Sequence, residues 1–158
     1  MKTNTSAIIG ALLLSSAIFS HAATIDLPEY GFSIDALDSQ MGAAPSTALM
    51  MFLPASDGFT PNLNVNIQPF PGSMKDYIAL STKQFKSMKW TVVSEKQIGD
   101  TEWQVEYKGP MQGNDLHFYA RAVQSKGRVY LVTGTAKETQ WNTVGNILQA
   151  HVDSFKAK

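Results

Sequence analysis

Beyond residue 22 the chain carries two histidines, His117 and His151. His117 lies in an alternating run, LHFYARAV, and the run before it, TEWQVEYK, carries Glu106. Paired as a hairpin, the two runs make Glu106 a cross-strand neighbour of His117. A histidine beside a carboxylate can work as a general base or offer two ligands to a metal. Zinc asks for three or four donors and no third stands out, so a cross-strand ion pair is the plainer reading. His151 sits at the edge of a helical pattern with no acid or nucleophile arranged around it. Cysteine is absent, which removes thiolate nucleophiles, thiolate ligands and disulfides. Gly-x-Ser-x-Gly, Ser-x-x-Lys, the phosphate loop, the dinucleotide glycine fingerprint and His-Glu-x-x-His are all missing. The sequence therefore names no catalytic residue, no cofactor-binding residue and no metal ligand, and no cofactor is expected. What remains is recognition chemistry. Asn62, Asn64, Asn66 and Gln68 form a row of amides that can build an exposed ladder or hydrogen-bond a sugar, although the solvated face of an antiparallel sheet is the plainer reading.

The elements that would hold these groups begin with FTPNLNVNIQPF, from Phe59 to Phe70. Its amides alternate with Leu63, Val65 and Ile67, a period of two that buries one face of a strand. Pro61 and Pro69 bound it, where a residue without an N–H does least harm to a ladder. Before it, Thr24 to Tyr30 leads into the fold, and Gly31 to Leu37 reads as a first strand. Ser39 to Ser46 is a loop. Thr47 to Leu53, TALMMFL, is a continuous apolar run that reads as a buried strand. Ala55-Ser56-Asp57-Gly58 is turn chemistry, joining the two into a hairpin.

After Pro71-Gly72-Ser73 the period changes. Met74, Tyr77, Ile78, Phe85 and Met88 recur at helical spacing, with Ser73 and Asp76 placed as a capping box, and predict a core-facing helix over 74–89. Strands follow over Trp90–Gln97, Thr101–Lys108, Leu116–Val123 and Arg128–Thr135, with turns at Gly99-Asp100, Gly109 to Gly113 and Lys126-Gly127. Thr135 and Glu138 have capping-box spacing and open a final helix with the stripe Trp141, Val144, Leu148, Val152 and Phe155. Gly145 inside it points to close packing on the sheet. The result is an α+β fold: one antiparallel sheet of about six to seven strands with two main helices.

Keeping like faces together in the central hairpin sets Tyr107 by Leu116, Val105 by Phe118 and Trp103 by Ala120. The other face then pairs Glu106 with His117, Gln104 with Tyr119 and Glu102 with Arg121.

The chain's 158 residues suit a single domain, and with 44% hydrophobic and 16% charged residues it can fill a core. Basic and acidic residues number 13 each, so there is no broad footprint for nucleic acid. Lys2, the apolar run AIIGALLLSSAIF from Ala7 to Phe19, and the small residues of Ser20-His21-Ala22 form a secretory signal cut after Ala22. The run is shorter than the roughly 20 residues of a spanning helix, so no stable membrane span is expected after cleavage. Residues 1–22 thus read as a signal peptide and 23–158 as one periplasmic or secreted domain. Lys2 is the only charged residue of the signal, which leaves 12 basic residues against 13 acidic. Without cysteine this domain is held by packing, which roughly 136 residues can supply.

Several segments resemble the small exported bacterial proteins that include DcrB, within the Mog1/PsbP-like superfamily. They are Gly31-Phe32-Ser33-Ile34, Asn62-Leu63-Asn64-Val65 with its prolines, Tyr77 through Phe85, Gly127-Arg128-Val129-Tyr130-Leu131-Val132-Thr133 and Ser154-Phe155. The resemblance covers nearly all of Gly31 to Phe155. It implies an antiparallel sheet sandwiched by helices and non-enzymatic work: an accessory photosystem subunit, a nuclear-transport cofactor, envelope proteins, and chaperones of secretion effectors belong to the superfamily. The expectation is an exported accessory domain that binds another envelope or secreted protein. Its surface would be the polar sheet face of Glu102, Glu106, His117, Tyr119 and Arg121, with the loops at Asp57-Gly58 and Pro110 to Asn114. The alternative is a small-ligand carrier with a pocket between sheet and helix, lined by Trp90, Trp103 and Trp141. A hydrolase without a familiar motif is the remote third reading.

Overall fold

The computed structural model describes residues 24–27, 31–35 and 46–158. The expected signal peptide falls outside them. Contacts divide the chain into two units, residues 1–40 and 41–158. The first contains an antiparallel pair, β1 (Thr24–Leu27) and β2 (Phe32–Asp35), with Gly31 turning between them at positive φ. β2 falls within the predicted first strand, and its partner β1 was read only as a lead-in.

The second unit runs β3 (Ser46–Phe52), β4 (Asn62–Pro69), α1 (Met74–Ser87), β5 (Thr91–Ile98), β6 (Glu102–Met111), β7 (Asn114–Ser125), β8 (Arg128–Lys137) and α2 (Glu138–Asp153). Its strands form one antiparallel sheet in the order β3-β4-β8-β7-β6-β5. β4 pairs with β8 and not with β5, so α1 carries the chain across a face of the sheet to its far edge.

Each face has its own core. Met74, Tyr77 and Phe85 of α1 pack on Trp103, Val105, Tyr107, Leu116, Phe118 and Ala120, the alternating apolar side of β6 and β7. The aromatic rings stack in series there, Phe85 on Tyr107 at 4.4 Å between centroids and Tyr107 on Phe118 at 4.7 Å. On the opposite face Leu148 and Val152 of α2 cover Leu63 and Val65 of β4 with Val132 and Ala136 of β8. α1 is capped as predicted: Ser73 Oγ accepts from the Asp76 amide, and the Asp76 carboxylate accepts from the Ser73 amide at 3.0 Å.

Four local expectations are corrected. The TALMMF segment forms a strand, but it is the edge strand β3, and Leu49, Met50, Met51 and Phe52 are all exposed, Phe52 by 61%. An unbroken apolar run carries no information about edge or centre. The central hairpin is shifted by two residues: Tyr107 faces Phe118, Val105 faces Ala120 and Trp103 faces Ala122. The cause is the turn, which takes only Gln112 and Gly113, both at positive φ (52° and 78°), in place of five residues from Gly109. Such a turn matches the twist of its flanking strands. α2 begins three residues after Thr135, because Thr135 and Ala136 are buried members of β8. The Gln140 side chain then accepts from the Lys137 amide at 3.0 Å. Lastly, Gly145 is flat beneath the Trp141 indole, and the close approach of helix to sheet is made by Gly134 of β8, where a Cβ would lie 2.9 Å from Leu148 Cβ.

Candidate functional site

Glu102, Glu106, His117, Tyr119 and Arg121 do share one face of the sheet, but that face lies against α2. The helix seats its apolar stripe on β4 and β8, and its flank then reaches the neighbouring polar strip of β6 and β7. His117 is 5% exposed. Its Nε2 lies 2.8 Å from Glu106 Oε1 and its Nδ1 lies 2.6 Å from Glu138 Oε2, while its ring stacks on Trp141 at 4.0 Å between centroids. Glu106 Oε1 also accepts from Trp141 Nε1 at 3.2 Å, and Lys108 Nζ donates to Glu138 Oε1 at 2.6 Å. Glu138 is the first residue of α2, where the helix dipole also favours an anion. The Lys108 ammonium first, opposed by burial and joined by His117, holds its carboxyl below the usual carboxylate range. Both ring nitrogens of His117 are thus taken up by carboxylates.

A second cluster holds the other end of the helix. Arg121 Nη1 donates to the Asp153 and Phe155 carbonyls at 2.9 and 3.1 Å, and its Nη2 to Glu102 Oε2 at 2.7 Å. Tyr119 donates to Asp153 Oδ1 at 2.9 Å. Burial first, then the Asp153 bond and charge, push the Tyr119 phenol up to about 12. A guanidinium against the last carbonyls of a helix satisfies acceptors left over by the ladder and opposes the dipole. The five residues are thus brought together as two clamps on α2. The Asp57-Gly58 loop is tied down as well: Lys137 Nζ donates to the Asp57 carbonyl at 2.6 Å and Gln140 Nε2 to the Ser56 carbonyl at 2.6 Å.

The other face of the sheet holds an open cleft of about 710 Å³ between α1 and the strands. Its lining includes the amide row of β4, Asn62, Asn64, Asn66 and Gln68, with Thr133 and Thr135 of β8 beside it, and the aromatic side chains of Phe59, Phe85, Trp90 and Tyr107. Leu80, Gln84 and Met88 of α1 and Met50 of β3 also reach it. Met88 was expected in the core, and it is exposed here instead. The amide row is pre-ordered. Thr47 Oγ1 donates to Asn66 Oδ1 and Asn66 Nδ2 to Asn64 Oδ1, each at 2.7 Å, while Tyr77 donates to Gln68 Oε1 at 2.9 Å. Burial raises the Tyr77 phenol to about 12, so it remains a neutral donor. Among the described residues lining the cleft, none is charged.

The expected pocket between sheet and helix is therefore present, lined by Trp90 and Trp103, with Trp141 on the opposite face. Met111, Gln112 and Asn114, from the Pro110–Asn114 turn, also line it. Sequence reasoning missed Thr133, Thr135 and Gln84. The alternation of β8 carried the signal for the threonines, since its pairing with β4 puts Thr133 beside Asn64 and Thr135 beside Asn62.

The PsbP family model matches residues 60–157. Among solved structures, PA94 of Pseudomonas aeruginosa, a protein of unknown function, is similar at 14% identity with a TM-score of 0.64, covering 88% of this chain and 99% of that one. Cyanobacterial PsbP (CyanoP) from Synechocystis aligns at 12% identity with a TM-score of 0.48, over 94% of this chain and 98% of its own. LpqN of Mycobacterium tuberculosis, involved in cell envelope biogenesis, aligns at 14% identity with a TM-score of 0.39, over 72% of this chain and 82% of its own. No curated protein matches the chain.

Proposed function

The chain belongs to the PsbP family, and on that premise we propose that it is a non-enzymatic binding domain of the bacterial envelope that holds its target in the cleft between α1 and the sheet. The observation that carries this reading is the cleft itself: about 710 Å³, lined by ordered amides, by threonines and by aromatic rings. Ligand sites are concave and mostly apolar, with a few placed polar groups, and this one has that composition. The polar face first expected to meet a partner is spent on holding α2, which favours an inserted ligand or short segment over a flat protein contact.

The histidine evidence supports binding without turnover. A general base must present a free nitrogen to the substrate proton, and both nitrogens of His117 already face carboxylates. Export is supported by the amino-terminal pattern of Lys2, the apolar run and Ser20-His21-Ala22. No described helix is long and apolar enough to cross a membrane.

Native mass spectrometry of the protein recovered from the envelope fraction tests this. The expected result is a non-covalent adduct that is lost in Asn64→Trp, where an indole fills the cleft, and released with its mass unchanged. An adduct indifferent to Asn64→Trp, or one released chemically altered, contradicts the reading.

A further inference from the structure

We propose that the ligand of the cleft is an uncharged, polyhydroxylated molecule, a neutral oligosaccharide; this rests on the reading of the cleft as the binding site. The first reason is charge. Among the described residues lining the cleft there is no Asp, Glu, Lys, Arg or His, although charged residues make up 16% of the chain. A phosphate, carboxylate or ammonium drawn from water into such a place would lose its hydration without gaining an opposite charge. A neutral polyol carries no such penalty.

The second reason is the arrangement of donors and acceptors. Asn62, Asn64, Asn66 and Gln68 are on one side of a strand, where successive side chains stand about 6.6 Å apart. They form a straight row of amides, part of whose donors and acceptors are used in ordering the row itself. Thr47 and Asn66 hold the Asn64 amide oxygen in place, and Tyr77 holds Gln68. Among the described residues, the Asn64 and Gln68 amide nitrogens and the Thr133 and Thr135 hydroxyls donate to no protein partner. Groups already ordered lose little freedom on binding. An acyl chain laid along this row would bury those amides unsatisfied, which disfavours a lipid tail.

The third reason is the aromatic part of the lining. Phe59 and Trp90, both only partly buried, offer apolar ring surface to the cleft, while Tyr107 is buried within its own stack of rings. A pyranose has the two sides this geometry asks for: C–H groups for the rings and hydroxyls for the amides.

The test is isothermal titration of the full exported domain with oligosaccharides chosen from an array of neutral and charged glycans, with laurate as the apolar probe. A neutral oligosaccharide should bind, and Asn64→Ala should weaken it by about tenfold, the worth of one good hydrogen bond. Thr133→Val, which keeps volume, serves the same purpose should Asn64→Ala fold poorly. Glu106→Gln, on the far face, should leave affinity unchanged. Binding of laurate or a charged glycan, blocked by Asn64→Trp, with no neutral glycan bound, overturns the ligand class and leaves the binding domain standing. No binding by any probe, together with no adduct in native mass spectrometry, overturns both.

Discussion

His117 and Glu106 meet at 2.8 Å. They do so diagonally across the ladder, because His117 is directly opposite Lys108. What the sequence did not reveal is Glu138, 21 residues further on, whose position depends on where α2 starts. Its arrival turns a pair into a group of four, Glu106, His117, Glu138 and Lys108, in which His117 is the most buried. Removing His117 leaves the partly buried Glu106 carboxylate without that partner. His117→Ala, which also uncovers the Trp141 ring, should therefore destabilise the domain by about 2 kcal/mol, read from the midpoint of urea unfolding. The acid side gives a second prediction. The Glu138 carboxyl is held below its ordinary value in the folded state, so its contribution is present above the unfolded carboxylate range and lost as pH falls through the depressed value. Glu138→Gln should flatten the fall of melting temperature with pH in that acid window. The effect will be modest, because the Glu138 side chain is 40% exposed and its charge is partly screened.

At the scale of elements, all six strands of the sheet and both helices were legible, β3 from its bounded apolar run and the others from alternation, turn signals and helical spacing. Register was not, and the reason is specific. The like-with-like rule holds for any even shift, and the choice between registers rested on the length of one turn. Gln112 is an uncommon residue for a left-handed turn position, so Gln112-Gly113 did not stand out from the wider Gly109–Gly113 segment. Gly109 itself is needed within β6, since the Trp90 ring lies across it where a side chain would project. Gly134 has the matching role under α2. Gly134→Ala would push a methyl group into Leu148, and such overpacking should cost about 1–3 kcal/mol in chemical unfolding, with the same helical content by circular dichroism. An unchanged midpoint would mean that α2 sits further from the sheet than the structure has it.

For the molecule as a whole, the two faces of the sheet divide the work. One is closed by α2 with apolar contacts and two polar clamps. The other is covered in part by α1, and among the described residues the amide side of β4 and the threonines of β8 line a cleft beside that helix. The amide row was legible from NLNVN, and so was its hydrogen-bonding capacity. Which polar face would stay open was not, since that depends on which helix crosses which strands. The central claim is that recognition belongs to the α1 face. Amide chemical-shift mapping of the ¹⁵N-labelled domain, titrated with the neutral oligosaccharide that binds best, tests it most directly. Shifts should group on residues 62–68, on Thr133 and Thr135 and along α1, while Glu102, Glu106, Tyr119 and Arg121 stay in place. Shifts gathered on those four residues and α2, with the cleft unmoved, would contradict it.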